Sequence, residues 1–433
     1  MDSRRRSIMY ACAATAAAAL VLVAARPAAA ADEQPVKIGV VTFLSGPAAG
    51  PFGIPARNGA ELLAQELNAG KVPAQYATKG FGGAPIKLTF VDEAGGTTKQ
   101  VSEYRNLVQR QNVDLVVGYI SSGDCLAIAP VAEELKKLTV FFDCGTPRIF
   151  EDASYKYVFR TGATATMDNV AAARYVLRRK PNVKTIAGIN QNYAWGQDSW
   201  ADFEESMKVL KPGIKIKTSQ MPKLLSGQYN AEISALLSAH ADVVHSSFWG
   251  GDLDALILQG APRGLFKRSL VVLTAGETAV EKLGAQIPDG TIIGARGPFD
   301  MYAPDTALNK WFRKVYTDRY NLGPSYPSYK IAQAILGVKT AWEKAQAANG
   351  GKRPSQDQVI AAFVHLKWEG PGGLVELGLG KGHQAVQGTV YGTLKHVKGK
   401  IKFVDVVHYP AAEVTPPAGV KSQDWIKSGF KAK

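Results

Sequence analysis

Histidines and nucleophile motifs are the features that would give this 433-residue chain catalytic or metal-binding chemistry. The histidines are scattered, at positions 240, 245, 365, 383, 396 and 408. Only His240 and His245 are close in sequence, and they straddle a predicted helix-to-strand junction instead of sharing one helix face, so they do not predict a metal site. The sequence has no GxSxG, HExxH or Walker lysine motif, and no GxGxxG follows the first predicted strand. It therefore predicts no enzyme, no metal and no cofactor.

The first 31 residues have the anatomy of a cleavable export signal. Arg4, Arg5 and Arg6 precede an Ala-rich apolar run, and small residues follow at 28–31. A membrane anchor is the alternative, but the run of about 15 residues is shorter than a bilayer core requires. We expect cleavage after Ala30 or Ala31 and a periplasmic mature protein, exported by the Sec or the twin-Arg route.

Two cysteines remain after such cleavage, because Cys12 lies in the leader. Cys125 and Cys144 each come just after a predicted strand (113–117 and 139–142), and these two strands are consecutive in a predicted parallel sheet. An oxidising compartment allows the thiols to pair, so we expect a disulfide. Two separately buried thiols are the alternative.

The elements that must position any site alternate between strand-length apolar runs and helix-period segments. Strands are predicted over 36–42, 86–91, 113–117, 139–142, 185–189, 214–217, 242–246, 269–274 and 291–294. Helices are predicted over 55–67, 98–110, 126–137, 168–179, 198–210, 229–239, 252–259, 306–320 and 329–347. Two strands between 386 and 408 and a Pro/Lys-rich wrapping tail from 409 complete the chain. This order predicts an α/β protein with two doubly wound, Rossmann-like lobes.

Ligands bind beyond the carboxyl ends of the strands in such sheets. The candidate loops are therefore 43–53, 118–124, 143–148, 190–197, 246–251 and 274–278.

The net charge of +14 raises the question of a nucleic-acid partner. Part of this excess lies in the predicted leader and in the Lys-rich segment 395–433, and the remainder is spread along the lobes. A nucleic-acid site needs clustered Arg and Lys on a recognisable module, so no nucleic-acid partner is expected. A mean hydropathy of −0.08 and the lack of long apolar runs after residue 31 exclude a multi-span membrane protein.

Four segments carry a resemblance to a known family. They are VKIGVVTFLSGPAAGPFG (36–53), VVGYISSGDCLAIAPVAEELKKLTVFFDCGTP (116–147), NQNYAWGQD (190–198) and SFWGGD (247–252). In this order and spacing the chain resembles the branched-chain amino-acid-binding (leucine/isoleucine/valine-binding) family of periplasmic solute-binding proteins, which serve ABC importers and have the type I periplasmic-binding fold. The resemblance implies three crossings between the lobes, near 160–162, 296–298 and 387–388.

The resemblance also implies which residues hold a ligand. The implied set comprises Ser122 with Ser121 and Thr146 for a carboxylate, Tyr193, Trp195, Phe248 and Trp249 as covering aromatics, and Glu277 for an ammonium group. Hydroxyls and free N–H groups at helix N-termini suit an anion, but the same atoms also serve as helix caps. The aromatics would otherwise pack between the lobes, and Glu277 would otherwise begin a helix.

Two features depart from an aliphatic amino-acid pocket: the abundance of Trp, and Asp143 and Arg148 beside Thr146. The prediction is a monomeric, non-catalytic solute-binding subunit that captures a small carboxylate-bearing molecule, with a branched-chain amino acid as the first choice, and works with an ABC permease in the inner membrane. An aromatic carboxylate or an amide such as urea is the alternative ligand. A sensory ligand-binding subunit and an exported hydrolase are the rival classes, and the hydrolase is disfavoured because the candidate loops contain no His.

The predicted domains are a signal over 1–31, a first lobe over 32–160 plus 297–387, and a second lobe with the tail over 161–296 plus 388–433.

Overall fold

The strands form two separate sheets in the computed structural model, which describes residues 34–431. One sheet has eight strands and the other has seven. We call the eight-stranded sheet with its helices the first lobe, and the seven-stranded sheet with its helices the second lobe. The predicted α/β fold of two doubly wound lobes is confirmed, whereas the predicted export signal lies outside the described residues.

The first lobe is built from two stretches of chain. The first stretch contains β1 (Val36–Thr42), α1 (Ile54–Ala69), β2 (Ile86–Asp92), α2 (Thr97–Gln109), β3 (Leu115–Gly118), α3 (Ser122–Glu134), β4 (Thr139–Phe141), α4 (Arg148–Glu151) and β5 (Val158–Arg160).

The second lobe then begins with α5 (Ala165–Arg179), β6 (Thr185–Ile189), α6 (Ala194–Leu210), β7 (Lys215–Gln220), α7 (Asn230–Ala239), β8 (Val243–Ser246), α8 (Gly251–Gly260), α9 (Leu265–Arg268), β9 (Leu270–Leu273), α10 (Glu277–Leu283) and β10 (Ile292–Gly294).

The chain then returns to each lobe once. The first lobe is completed by α11 (Ala307–Tyr320), α12 (Tyr326–Ala348), α13 (Gln356–Phe363), β11 (Lys367–Gly370), β12 (Gly373–Leu379) and β13 (Gln384–Val386). The second lobe is completed by β14 (Thr389–Val397), β15 (Lys400–Tyr409), α14 (Ala411–Val414) and α15 (Ser422–Lys427). Three passages therefore connect the sheets, after β5, β10 and β13.

The strand orders are β11-β12-β13-β5-β4-β3-β1-β2 and β15-β14-β10-β9-β8-β6-β7. The central strands run parallel, and their residues are almost all buried because helices cover both faces of each sheet. In the first lobe Val40 packs on one face and Val116 on the other. In the second lobe Ile186 and Ile189 belong to the two corresponding cores.

Several elements differ from the sequence prediction. α3 begins at Ser122 instead of 126, because the hydroxyl of Ser121 caps it by accepting from the Asp124 N–H. α6 begins at Ala194 instead of 198, so Trp195 lies in its first turn. Strands β11 to β13 were not predicted, and the tail contains α15, whose Trp425 is buried in the second lobe. Among residues 34–431, no helix combines the length and the apolarity needed to cross a bilayer.

Candidate functional site: the cleft between the lobes

A small cavity lies between the lobes, at the carboxyl ends of the parallel strands of both sheets. Its walls are Phe52, Ile120, Ser122, Asp143, Gly145, Tyr193, Trp195, Trp249, Ala275, Arg296 and Tyr326. The enclosed space of about 10 Å³ has room for about one water molecule. The lobes are therefore closed on each other around this cavity, which in this arrangement is too small for a solute.

Ser122 supplies a hydroxyl donor to this cavity. Its Oγ accepts hydrogen bonds from the N–H groups of Gly145 (3.1 Å) and Thr146 (3.2 Å). These two bonds occupy the lone pairs of the hydroxyl, so its hydrogen is available for an acceptor in the cavity. Gly145 has to lack a side chain, because a Cβ there would lie 2.3 Å from the Trp195 ring.

The backbone N–H groups before α3 are already engaged by a carboxylate of the protein. Glu93 Oε1 accepts from Ile120 N–H (2.8 Å) and from Ser121 N–H (2.7 Å), and its side chain is fully buried. Burial raises the pKa of Glu93 well above its ordinary value, with the nearby Asp124 adding to the rise. Ser121 therefore caps α3 beside an internal carboxylate and does not line the cavity. Glu93 was not predicted, and its only sequence signal is an acid two residues after a predicted strand.

Thr146 takes part in a bridge between the lobes. Its hydroxyl donates to Asp198 Oδ2 at 2.5 Å, and Arg148 donates to Asp198 Oδ1 from Nε (2.9 Å) and Nη2 (2.6 Å). Asp198 lies in α6 of the second lobe, whereas the other two residues belong to the first lobe. The Thr146 hydroxyl is therefore engaged with the opposite lobe in this closed form.

Five of the eleven residues in the cavity wall are aromatic. The Tyr193 hydroxyl accepts from Trp249 Nε1–H at 2.7 Å, and Trp195 Nε1–H donates to the Ser247 carbonyl at 2.8 Å. Trp249 also packs against Phe52, with ring centroids 5.3 Å apart. Three of the four predicted aromatics therefore meet at the cavity.

The fourth predicted aromatic, Phe248, points away from the cavity. It is fully buried in the core of the second lobe and packs against Tyr229, with ring centroids 4.8 Å apart.

Arg296 places a buried cation in the cavity wall. Its Nε donates to Asp168 Oδ2 at 3.1 Å, its Nη1 donates to the Asp143 carboxylate, and its Nη2 donates to the Ala163 carbonyl. The guanidinium lies 4.5 Å from the centroid of the Trp195 ring. Arg296 was not among the predicted ligand-binding residues, although it stands at an implied crossing between the lobes.

The charges behind Arg296 are also buried. Burial raises the pKa of Asp168 to about 6 even though Arg296 favours the carboxylate. Lys330, which donates to Gln387, has its pKa lowered to about 8 by burial and by Arg296. These groups stand at the passages between the lobes, so the cavity wall and the hinge share one charged cluster.

Glu277 lies outside the cavity wall, in the first turn of α10. Its Oε2 accepts from the Tyr326 N–H at 3.3 Å, and burial raises its pKa to about 8. None of the described side chains supplies it with a cation. It lines a neighbouring groove of about 920 Å³ between the lobes, which Phe299, Tyr302 and Phe403 also line.

The two cysteines of the first lobe are bonded. The sulfur atoms of Cys125 and Cys144 lie 2.12 Å apart, and both residues are fully buried. This bond joins the first turn of α3, which contains Ser122, to the loop that contains Gly145. Over residues 34–431, no group of three or more His, Cys, Asp and Glu side chains is arranged to hold a metal.

A family model described as a periplasmic binding protein matches residues 35–399 of the chain. Leu/Ile/Val-binding protein homolog 7 of Brucella melitensis is 26% identical over 318 residues, which cover 70% of this chain and 76% of the relative. Homolog 4 of the same organism is 24% identical over 348 residues, which cover 78% of each chain.

Two solved structures have a similar fold. An ABC-transporter solute-binding protein from R. palustris in complex with benzoate superposes with a TM-score of 0.74 at 21% identity, covering 89% of this chain and 99% of that one. A branched-chain amino acid transporter substrate-binding protein from Streptococcus pneumoniae in complex with isoleucine gives 0.72 at 20% identity, covering 87% and 100%.

Proposed function

The chain belongs to the periplasmic binding protein family, and on that basis we propose that it is the exported solute-binding subunit of an ABC importer. It captures a small carboxylate-bearing solute between its lobes and presents the closed form to a permease in the inner membrane. The observation that carries this proposal is the closed cavity at the carboxyl ends of both sheets, with aromatic walls, a donor hydroxyl at Ser122 and the guanidinium of Arg296.

The order of events in binding follows from which lobe contributes each cavity residue. Ser122 and Gly145 belong to the first lobe, whereas Tyr193, Trp195 and Trp249 come from the second. A solute that reaches the open first lobe is covered by the aromatics when the lobes close. Closure removes water, which strengthens the hydrogen bonds to the solute's carboxylate. We assign no catalysis to this cavity.

An amino acid is the first candidate ligand, in line with the names of the relatives. Glu277 would then pair with the ligand's ammonium group, because a buried carboxylate requires a cation. Such a ligand would have to extend from the cavity to the groove where Glu277 lies.

An aromatic carboxylate is the second candidate, and the cavity wall favours it. Five aromatic rings face the cavity, whereas the Glu277 carboxyl lies behind the backbone of Tyr326. An aromatic ring would stack on these side chains and would not need the Glu277 carboxylate. The benzoate bound by the R. palustris protein is a ligand of this class.

Titration of purified mature protein with aliphatic amino acids, aromatic acids and amides tests the proposal, followed by tryptophan fluorescence because Trp195 and Trp249 lie at the cavity. The pH dependence of the affinity separates the two acid classes. Glu277, with its pKa at about 8, is protonated at neutral pH and must lose its proton to pair with an ammonium group. Amino-acid affinity should therefore rise by up to about tenfold per pH unit between pH 6 and pH 8.

Glu277→Gln should abolish this rise, and Glu204→Gln, which affects only an ion pair with Lys208 within α6, is the control. An aromatic acid should show no such rise across this range and should bind equally well to the wild-type protein and to both variants. If no carboxylate binds to the wild-type protein, the proposed function is wrong. If an amino acid binds with no pH dependence and with equal affinity to Glu277→Gln, only the ammonium-pairing role is wrong.

A further inference from the structure

The C-terminal segment connects the two lobes through a row of polar side chains that the proposed function does not use. α15 packs into the second lobe through Trp425 and Ile426, which are buried in its core. Its first residue, Ser422, donates from its N–H (3.1 Å) and from its hydroxyl to the carboxylate of Glu151 in α4. Because α4 belongs to the first lobe, the tail holds both lobes together.

The row continues from Ser422 into the second lobe. Thr166 Oγ1, in α5, lies 2.7 Å from Ser422 Oγ and 2.8 Å from Asp202 Oδ2 in α6. Gln423 Nε2 donates to the other oxygen of Asp202, Oδ1, at 2.6 Å. The order of the row is therefore Asp202, Thr166, Ser422 and Glu151.

This row contains more hydrogen bonds than its hydroxyl hydrogens can supply. Three oxygen-to-oxygen contacts connect the four side chains, whereas the hydroxyls of Thr166 and Ser422 carry one hydrogen each. Two oxygens at such distances need a hydrogen between them. The third hydrogen must come from a carboxylic acid at one end of the row.

Asp202 is the end that holds this hydrogen. Its side chain is about 1% exposed, and the charged groups nearest to it are the carboxylates of Asp198 and Glu151. Burial raises the pKa of Asp202 to about 7, with these two carboxylates adding to the rise.

The opposite end of the row favours the ionised form. Burial also raises the pKa of Glu151, but the hydroxyl and the N–H of Ser422 both donate to its carboxylate, and the guanidinium of Arg160 stabilises the charge. Asp152 is paired with Lys421 of the tail at 2.8 Å.

We infer that Asp202, Thr166 and Ser422 are positioning residues that form a proton-holding strap between the lobes and favour their closed arrangement. The acid hydrogen on Asp202 Oδ2 donates to Thr166, Thr166 donates to Ser422, and Ser422 donates to the Glu151 carboxylate. When Asp202 releases its proton to solvent, one of the three contacts is left between two lone pairs, and the strap that joins α4 to the second lobe is weakened. The strap regulates the closure on which the proposed function depends, but it can be tested without any solute.

The sign of the pH dependence follows from the raised pKa of Asp202. The protonated form is favoured in the folded protein, so the strap is complete at acid pH and is lost as the pH rises through about 7. Hydrogen exchange of the peptide 420–427, with labelling times scaled to the intrinsic exchange rate at each pH, measures this directly. We expect about tenfold less protection at pH 8.5 than at pH 6.0.

Two variants should remove this pH step. In Asp202→Asn the amide donates to Thr166 at any pH. In Glu151→Gln the amide nitrogen donates to the Ser422 hydroxyl, the row runs in reverse to an ionised Asp202, and the Ser422 N–H loses its acceptor because it points at the same atom. Protection should then be equal at both pH values in each amide variant, whereas Thr166→Val interrupts the row and should lower the protection of the peptide at both.

Lobe separation gives a second readout. Spin labels at Thr98→Cys in the first lobe and Lys217→Cys in the second report the distance between the lobes, because both positions are exposed. Cys125 and Cys144 are already bonded to each other and do not take up label. The distance between the labels should increase at pH 8.5 in the otherwise wild-type protein and should stay constant with Asp202→Asn. Equal protection at both pH values in the wild-type protein, or an unchanged pH step in both amide variants, would overturn the inference.

Discussion

Arg296 is the residue that connects the cleft to the hinge. It follows β10 at the second passage between the lobes and has a left-handed backbone, with φ at +52°. Its guanidinium reaches Asp143 of the first lobe and Asp168 of the second while stacking on Trp195. A buried cation between two carboxylates is stable only while all three charges stay together. The position of this one side chain therefore depends on the closure of both lobes.

Removing Arg296 should destabilise the fold, and the effect should depend on pH. Arg296→Leu leaves Asp143 and Asp168 buried without their main cation, which costs about 3–5 kcal/mol of unfolding free energy at neutral pH. Burial raises the pKa of Asp168 to about 6 even in the presence of Arg296, so acid pH neutralises it and should recover part of the loss. Urea denaturation at pH 5 and pH 8 measures the difference.

The matched control is Arg105→Leu, because Arg105 and Glu134 form an ion pair on the surface. Its effect on the unfolding free energy should be small and equal at both pH values, because solvent screens an exposed ion pair. A loss of the same size at both pH values for Arg296→Leu would contradict the assigned role of the buried carboxylates.

The adjacent residues Phe248 and Trp249 show what could not be predicted from residue type. The loop after β8 was predicted to face the cleft, and Trp249 does so, but the adjacent Phe248 turns into the core of its own lobe. Both residues are large and aromatic, so their types do not distinguish them. Phe52 lies in the candidate loop 43–53 but was not named as a cavity residue, and Tyr326, the first residue of α12, was not predicted because it follows no strand.

At the scale of elements, the first turn of α3 and the loop after β4 are held together as one rigid unit. The disulfide between Cys125 and Cys144 joins them covalently, and the Ser122 hydroxyl joins them through the N–H groups of Gly145 and Thr146. Both connections hold the first-lobe half of the cavity in one geometry. Such preorganisation favours binding because less freedom is lost when a solute arrives.

The double variant Cys125→Ser/Cys144→Ser should test this unit. The bond closes a loop between residues 19 apart, and for a loop of this size we expect a loss of about 3 kcal/mol of unfolding free energy in urea. Solute affinity should also fall, because the cavity loops gain freedom. Reductant should bring the wild-type protein to the same stability and leave the variant unchanged. A loss below about 1 kcal/mol, with unchanged affinity, would mean that the disulfide does not hold the loops.

The elements that the sequence predicted well are the central parallel strands and their helices. β1 and β6 have the predicted bounds, because their apolar runs are buried on both faces and are flanked by polar or Gly-rich residues. β11 to β13 were not predicted because the segment 367–386 is short and rich in glycine. It also lies at the edge of the sheet, where only alternate residues are buried. Such edges are defined by their neighbours more than by their own sequence.

At the scale of the whole molecule, closure extends the core of the first lobe across the cleft. Trp195, Trp249 and Ala275 belong to the second lobe but pack into the same apolar cluster as Phe52 and Ile120. Burial of these aromatics favours the closed form even before a solute is considered. Two polar connections that lie away from the cavity, the Arg148 bridge and the tail strap, add to this closure.

Asp198→Asn should weaken closure without disturbing either lobe. The neutral amide keeps the shape of Asp198 but loses the charge that receives both Thr146 and Arg148. Arg148 is 40% exposed, so solvent screens the pair and we expect a cost of about 1 kcal/mol, which is about fivefold faster release of the solute that binds best in the titrations. Stopped-flow tryptophan fluorescence measures this dissociation rate. Glu204→Gln, which removes an ion pair within the same helix and on one lobe only, should leave the rate unchanged. Equal rates for Asp198→Asn and the wild-type protein would show that the bridge does not contribute to closure, and equal acceleration by both variants would assign the effect to α6 as a helix.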